Sequence, residues 1–331
     1  MQISSFLLFL FALAVATQPT PPHGVTPTLL KVSRIWDVGA HNAFTDLIRF
    51  RDRWYCTFRE GDDHVGGDGR IRVLSSADGE TWTSAALIGE TGIDLRDPKL
   101  SVMPDGRLMM VAGGSVYEGK RYVGRQPRVM FSPDGSTWSS PQRILSEGDW
   151  LWRVTWHEGR AYGVTYKTSS TAANEWVATL VSSKDGRTFD EVTAFAIPDR
   201  PNETTLRFMP DGEMVALVRR EAGSRLAWLG RSRAPYTTWT WRETQHQIGG
   251  PNFIRLPDGD LWASGRSYPG GPKTVVARLT LDGGYTPVLT LPSGGDTSYA
   301  GMVWHDGLLW VSYYASHEGK TAIYLARVKV T

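Results

Sequence analysis

Two sets of polar side chains flank six similar stretches of the chain. Asp46, Asp97, Arg153, Glu203, Asn252 and Tyr299 precede a first apolar run, and Arg59, Lys167, Arg219, Arg266 and Tyr314 follow a second. Guanidinium groups grip anionic or hydroxyl-rich ligands through forked hydrogen bonds, carboxylates move protons, and a phenol beside a base can attack an electrophile. One such residue at a strand end is ordinary. Gathered round a common axis, they must be paired, hydrogen-bonded or wet, because an isolated buried charge is costly. A polar cleft of that composition suits a small hydroxylated molecule.

What must position them is a repeated hairpin. Each stretch reads apolar strand, tight turn, apolar strand, with turns at Arg51-Asp52-Arg53, Pro104-Asp105-Gly106, His157-Glu158-Gly159, Pro210-Asp211-Gly212, Pro257-Asp258-Gly259 and His305-Asp306-Gly307. The recurrence is about 50 residues, which suits a four-stranded propeller blade rather than a leucine-rich or ankyrin repeat. The spacing therefore predicts an all-β, six-bladed β-propeller of four-stranded antiparallel blades over residues 29–331. Blades run up and down, so the flanking polar residues converge on one end of the axis and the hairpin turns lie on the other. The last blade is short, and residues 29–36 are expected to supply its missing strand and close the ring.

A second motif recurs inside the first three units: Ser76-Ala77-Asp78-Gly79-Glu80-Thr81-Trp82, Ser132-Pro133-Asp134-Gly135-Ser136-Thr137-Trp138 and Ser183-Lys184-Asp185-Gly186-Arg187-Thr188-Phe189. Ser and Asp can cap turn amides, Gly accepts a positive φ, and the aromatic can pack between neighbouring blades. These are structural turns. They resemble the Asp boxes (BNR repeats) of the sialidase, or neuraminidase, superfamily.

The resemblance extends to the flanking residues. Asn202-Glu203, a Pro-Asp-Gly hairpin and then Arg219 look like the sialidase pattern of a glutamate opening one strand and an arginine closing the next. Ser298-Tyr299-Ala300-Gly301-Met302 resembles the segment that bears the sialidase nucleophilic tyrosine, and Arg96-Asp97-Pro98 the strand start whose aspartate contacts the sugar. The likeness implies a covalent mechanism with Tyr299 as nucleophile and Glu203 taking its proton, a known exception to the two-carboxylate rule of glycosidases. It places the general acid in the loop of residues 60–70, where Asp63, His64 and Asp68 are the candidates. Arg59, Asp46, Asp97, Arg153, Arg219, Asn252 and Arg266 are the expected substrate-binding set.

Two departures stand out. The arginine that opens blade one in sialidases is replaced by Phe44-Thr45-Asp46-Leu47, and the glutamate that ends blade six by Ser312-Tyr313-Tyr314. Arg266 or Lys273 is available as the third arginine's counterpart. Losing one forked arginine removes roughly 1.5–3 kcal/mol of carboxylate binding. The chain thus looks like a divergent sialidase-like exo-glycosidase for a terminal, acidic or richly hydroxylated sugar. A non-catalytic carbohydrate-binding propeller is the alternative, and a protein-interaction scaffold comes third. No cofactor is expected. His41 and His64 suggest a metal or a lyase-type base, but two histidines without ligand spacing do not specify a site, so no metal is expected either.

Composition bounds the rest. Of 331 residues 41% are hydrophobic, which excludes a disordered chain, and a single cysteine excludes a disulfide scaffold. The 36 basic residues nearly cancel 34 acidic ones, leaving +2, so there is no electrostatic reason to expect nucleic acid as a partner. The apolar run of residues 6–15 is too short for a membrane span and precedes Ala14-Val15-Ala16, an exit of signal-peptidase type. Residues 1–16 are read as a cleaved signal peptide and 17–28 as a Pro-rich linker, which implies an exported protein with a glycan as its partner. Cys56 is expected to be a buried small hydrophobe.

Overall fold

The computed structural model describes residues 26–170 and 175–330. They form six four-stranded antiparallel sheets, arranged as the repeat predicts. The signal-peptide reading and residues 17–25 of the linker lie outside the described residues, and Thr28, the linker's last residue, already opens the first strand. Among the described residues no helix is long and apolar enough to cross a membrane.

Each blade starts at the axis. The innermost strands are His41–Phe50, Asp94–Val102, Trp150–His157, Pro201–Phe208, Gly249–Arg255 and Thr297–His305. Each touches the innermost strands of the blades on either side, and the first touches the last. Closure is by strand exchange: Thr28–Trp36 pairs antiparallel with Ala322–Lys329 as the outer strand of blade six, as expected from the short final unit. Pairing the two ends of the chain completes the sixth four-stranded sheet and holds the ring closed.

The core is six slabs, one at each blade interface. Leu95, Met110 and Met130 of blade two pack on Ile71 and Val73 of blade one, for example, and Trp262 and Val276 of blade five on Val311 and Tyr324 of blade six. Both faces of each sheet are covered, which is why the middle strands read as near-continuous apolar runs.

The three recurrent turns lie between the third and fourth strands of blades one to three. In the first, Asp78 Oδ1 accepts the amides of Glu80 and Thr81, and Ser76 Oγ accepts that of Gly79. Trp82 Nε1 donates back to the Gly79 carbonyl at 3.2 Å while its ring packs on the blade six–blade one core. The glycine is needed twice over. Gly135 has φ +81°, and a Cβ there would lie 2.4 Å from the Tyr55 ring of the preceding blade. The turns are thus inter-blade spacers at the end of the axis remote from the polar residues.

One irregularity positions the site. The innermost strand of all six blades slips register near its start: between Ala43 and Asp46, Arg96 and Lys99, Leu151 and Val154, Pro201 and Thr204, Gly249 and Asn252, and Ser298 and Gly301. Each slip is a bulge, a device that re-aims side chains out of the ladder. Phe44, Asp97, Gly250 and Tyr299, each the first bulged residue of its blade, have φ of 65°, 53°, 58° and 55°. Non-glycine residues in that region cost of order 1 kcal/mol or more and persist where the surroundings fix them.

Candidate active site

The bulges bring Tyr299 and Glu203 together from blades six and four. The phenol donates to Glu203 Oε1 at 2.7 Å. Arg219 Nη1 donates to Glu203 Oε2 at 2.6 Å and lies 3.1 Å from the phenol oxygen. The Gly250 amide completes the carboxylate's shell at 2.9 Å. Only Gly fits at 250, because a Cβ would sit 2.9 Å from the Tyr299 ring.

Tyr299 is caged, with 8% of its surface exposed. Its ring meets Phe44 at 5.1 Å and Trp152 at 5.4 Å between centroids, with the Arg266 guanidinium 5.3 Å above it. Burial pushes the phenol pKa well up, and the Glu203 charge adds to this. Burial also works against the charge of Glu203, but Arg219, the phenol and the Gly250 amide outweigh it and hold the carboxyl below the ordinary glutamate range. The pair is therefore a protonated phenol hydrogen-bonded to an ionised base.

Asp97 faces the same funnel from blade two. Burial raises its pKa, partly opposed by Arg96 and Lys99 and reinforced by Glu203. Its Oδ1 has no hydrogen-bond partner among the described residues. Arg96 lies 4.8 Å over the Phe44 ring and reaches Asp94 and the Tyr117 hydroxyl. Thus Phe44 stands where Asp97 and Tyr299 stand in their own blades, and blade two sends a guanidinium over it.

Three of the expected ligand-binding residues, Asp46, Arg153 and Asn252, are engaged by neighbouring blades. Asp46 and Asn252 resume the ladder after the slip, one pleat deeper than Phe44 or Tyr299. Asp46 accepts Arg153 Nη1 through both oxygens, at 3.0 and 2.9 Å, and the Leu100 amide at 2.7 Å. Asn252 donates to the Ala300 carbonyl and accepts from Arg207. These groups cross-link the inner strands beneath the pocket floor, and the same holds for Lys99, whose ammonium donates to the Thr45 carbonyl at 3.0 Å.

Loop 61–69 distributes its residues differently from the expectation. Arg59 is fully buried, held by Asp94 at 2.6 Å, and it ties down the loop through the carbonyls of Asp63 and Gly66. The Asp63 carboxylate points outward to Lys120 at 2.7 Å. Asp68 accepts the Gly92 amide and lines a separate surface cavity with Glu60 and Arg70. Only His64 turns toward the tyrosine's surroundings, its ring 5.3 Å from Phe44. Lys273 is occupied by the Ser293 carbonyl, so of the two blade-five candidates, Arg266 and Lys273, it is Arg266 that reaches Tyr299.

Sequence reasoning missed Asp296. This carboxylate, just ahead of the blade-six inner strand, accepts Tyr314 Oη at 2.7 Å and faces His64 Nδ1 at 2.6 Å and His41 Nε2 at 3.2 Å. Burial disfavours its charge, but the histidines and Tyr314 hold its carboxyl far below the usual range. The signal available was its place after Gly294-Gly295, immediately before a strand start; Tyr299 had already filled that role for blade six.

No protein-family model and no curated protein sequence matches the chain. Solved structures do. A Dyadobacter fermentans protein of unknown function aligns over 92% of this chain and 100% of its own, at TM-score 0.78 and 20% identity. Trypanosoma rangeli sialidase in complex with the inhibitor DANA aligns over 88% of this chain and 55% of its own, at TM-score 0.67 and 12% identity. The fold is the sialidase-type six-bladed propeller. That architecture is shared beyond sialidases: Penicillium chrysogenum α-L-arabinanase complexed with arabinobiose covers 90% of the chain and 98% of its own, at TM-score 0.69 and 14% identity. At these identities a sialidase-type propeller carries its fold to this chain, and chemistry has to be argued from the residues.

Proposed function

We propose that the protein is a retaining exo-glycosidase that removes a terminal, acidic sugar from a glycan, with Tyr299 as nucleophile and Glu203 as its base. The observation that carries this reading is the 2.7 Å hydrogen bond from the phenol to Glu203. As the phenolic oxygen bonds the anomeric carbon, its proton passes to Glu203 Oε1 and the bond to the leaving oxygen breaks. Asp97 is the acid in this scheme, because burial raises its pKa and its Oδ1 is uncommitted among the described residues; it protonates the leaving oxygen. In the second half-reaction water attacks the same carbon, gives its proton to Asp97, and the released phenolate recovers its proton from Glu203. Preference for an anionic sugar is supported by Arg96, Arg219 and Arg266, which surround the Tyr299–Phe44 pair. The apolar run of residues 6–15 supports an exported location for this activity.

The test is a panel of aryl glycosides of acidic and neutral sugars, with Tyr299→Phe and Glu203→Gln. Each variant should lose at least about 10²-fold in turnover while keeping its melting transition and its affinity for the product sugar. An active preparation indifferent to both changes would overturn the tyrosine mechanism. A binding-only propeller is favoured by one observation, the outward engagement of Asp63 and Asp68. It predicts saturable sugar binding with no turnover on any member of the panel.

A further inference from the structure

The His41–His64–Asp296 cluster uses three segments far apart in the chain. His41 opens the inner strand of blade one, His64 lies in the loop behind the next strand, and Asp296 precedes the inner strand of blade six. Their candidate ligand atoms, His41 Nε2, His64 Nδ1 and one Asp296 oxygen, all lie within 4.8 Å of one another. Both imidazole nitrogens face the same oxygen, Oδ2, and the rings stand 82° apart.

The carboxylate is oriented from behind. Its Oδ1 accepts the Tyr314 hydroxyl at 2.7 Å and faces Arg266 at 3.5 Å, and its backbone amide donates to Ser316. Outer-sphere bonds of this kind fix ligating carboxylates and leave one oxygen for the ion. Two nitrogens and one carboxylate oxygen converging with a side open is the donor set of a divalent transition-metal site with a free coordination position.

We propose that His41, His64 and Asp296 bind one Zn²⁺, or a chemically similar divalent ion, at the rim of the funnel. Tetrahedral ligands about 2.1 Å from an ion stand about 3.4 Å apart. The His41–Asp296 separation of 3.2 Å already meets that spacing, and the His64–Asp296 separation of 2.6 Å needs a small outward shift. His64 can make the shift, since its side chain is half exposed and sits on a loop. The Phe44 ring borders both imidazoles and Tyr299, so the ion sits one ring away from the phenol, where its open position can take a hydroxyl or carboxylate oxygen of the bound sugar. The site occupies His64, which is consistent with Asp97 rather than His64 acting as the acid, and it does not depend on the tyrosine mechanism.

The experiment is equilibrium dialysis of chelator-stripped full-length protein against Zn²⁺, with metal read by elemental analysis and the site geometry by the visible spectrum of the Co²⁺ form. The expected result is one Zn²⁺ per chain at micromolar free metal, weakened at least tenfold in His64→Ala and in Asp296→Asn, with a Co²⁺ band of four-coordinate intensity that His64→Ala abolishes. The surface position of His64 makes its loss harmless to folding, and an unchanged thermal transition of the metal-free variant checks this. Absence of stoichiometric uptake, or uptake unchanged in His64→Ala, overturns the proposal whatever the glycoside panel reports.

Discussion

The register slip in blade one makes a strong claim about Asp46, that it braces the ring and does not touch ligand. Asp46 and Arg153 are 1% and 5% exposed and form a two-oxygen ion pair between blades one and three. Removing one partner leaves the other as an uncompensated buried charge, which costs about 3–5 kcal/mol. Asp46→Asn should therefore lower stability by that amount, equivalent to roughly 5–8 °C in Tm for a chain of this length. Arg153→Met should cost about as much. Since the second change removes a charge already orphaned by the first, the double variant should fall short of the sum by at least about 2 kcal/mol. Urea denaturation with a constant m-value measures all three differences, and a glycan-binding assay on the folded variants supplies the control. If Asp46→Asn stays within about 1 kcal/mol of the parent but weakens sugar binding, the carboxylate faces ligand and the assignment of bulge positions is wrong.

Two further perturbations probe other parts of the structure. Asp97→Asn removes a carboxyl whose pKa burial has raised. A raised carboxyl contributes stability that is complete below its unfolded value and lost as pH climbs through the folded one. The variant should accordingly be more stable than the parent at pH 7, with the advantage gone below about pH 4. The same substitution should abolish the alkaline fall in kcat and slow alkyl glycosides far more than nitrophenyl ones; equal slowing of both would deny Asp97 the acid's role. Gly135→Ala places a Cβ 2.4 Å from Tyr55 at φ +81°, whereas Gly106→Ala meets open space at φ +78°. The first should cost about 2–5 kcal/mol and the second about 1–2 kcal/mol, and equal costs would mean that the turn does not bear on its neighbour.

Much of the wheel could be read from sequence because it is local and repeated. A hairpin turn every fifty or so residues and three copies of one polar turn specify blades without any long-range information. The closing strand Thr28–Trp36 was legible for the same reason, since a unit short of one strand needs it from elsewhere. The repeat placed Tyr299 and Glu203 at the same end of the axis, and the sialidase resemblance implied their pairing, which the 2.7 Å hydrogen bond matches. What sequence could not supply was the one-residue slip at each strand start, because a bulge leaves no mark on a run of mixed polar and apolar residues. Hence Asp46 and Asn252, which precede their apolar runs as Asp97 and Tyr299 do, lie a pleat deeper. Loop 61–69 was illegible for a different reason: the direction of Asp63 depends on Lys120 in another blade.

The bulges also explain how one scaffold can change ligands without losing its ring. Asp46, Lys99 and Asn252, past the slip, and Arg153, the second residue within it, are fixed by inter-blade bonds, so their replacement disturbs folding. The first residue of each slip, by contrast, leaves the ladder and answers chiefly to the pocket. Phe44, Asp97, Trp152, Asn202, Gly250 and Tyr299 occupy these positions as an apolar ring, an acid, an indole, an amide, a bare backbone and a phenol. Placing Phe at the blade-one position removes a charge from the floor, and the guanidinium of Arg96 arrives above it from the next blade. A Phe44→Arg variant would set two guanidinium groups against each other unless an anionic ligand bridged them, so it should fold less stably alone and recover on adding an acidic sugar. Recovery with a neutral sugar to the same extent would show that the blade-one position does not read ligand charge.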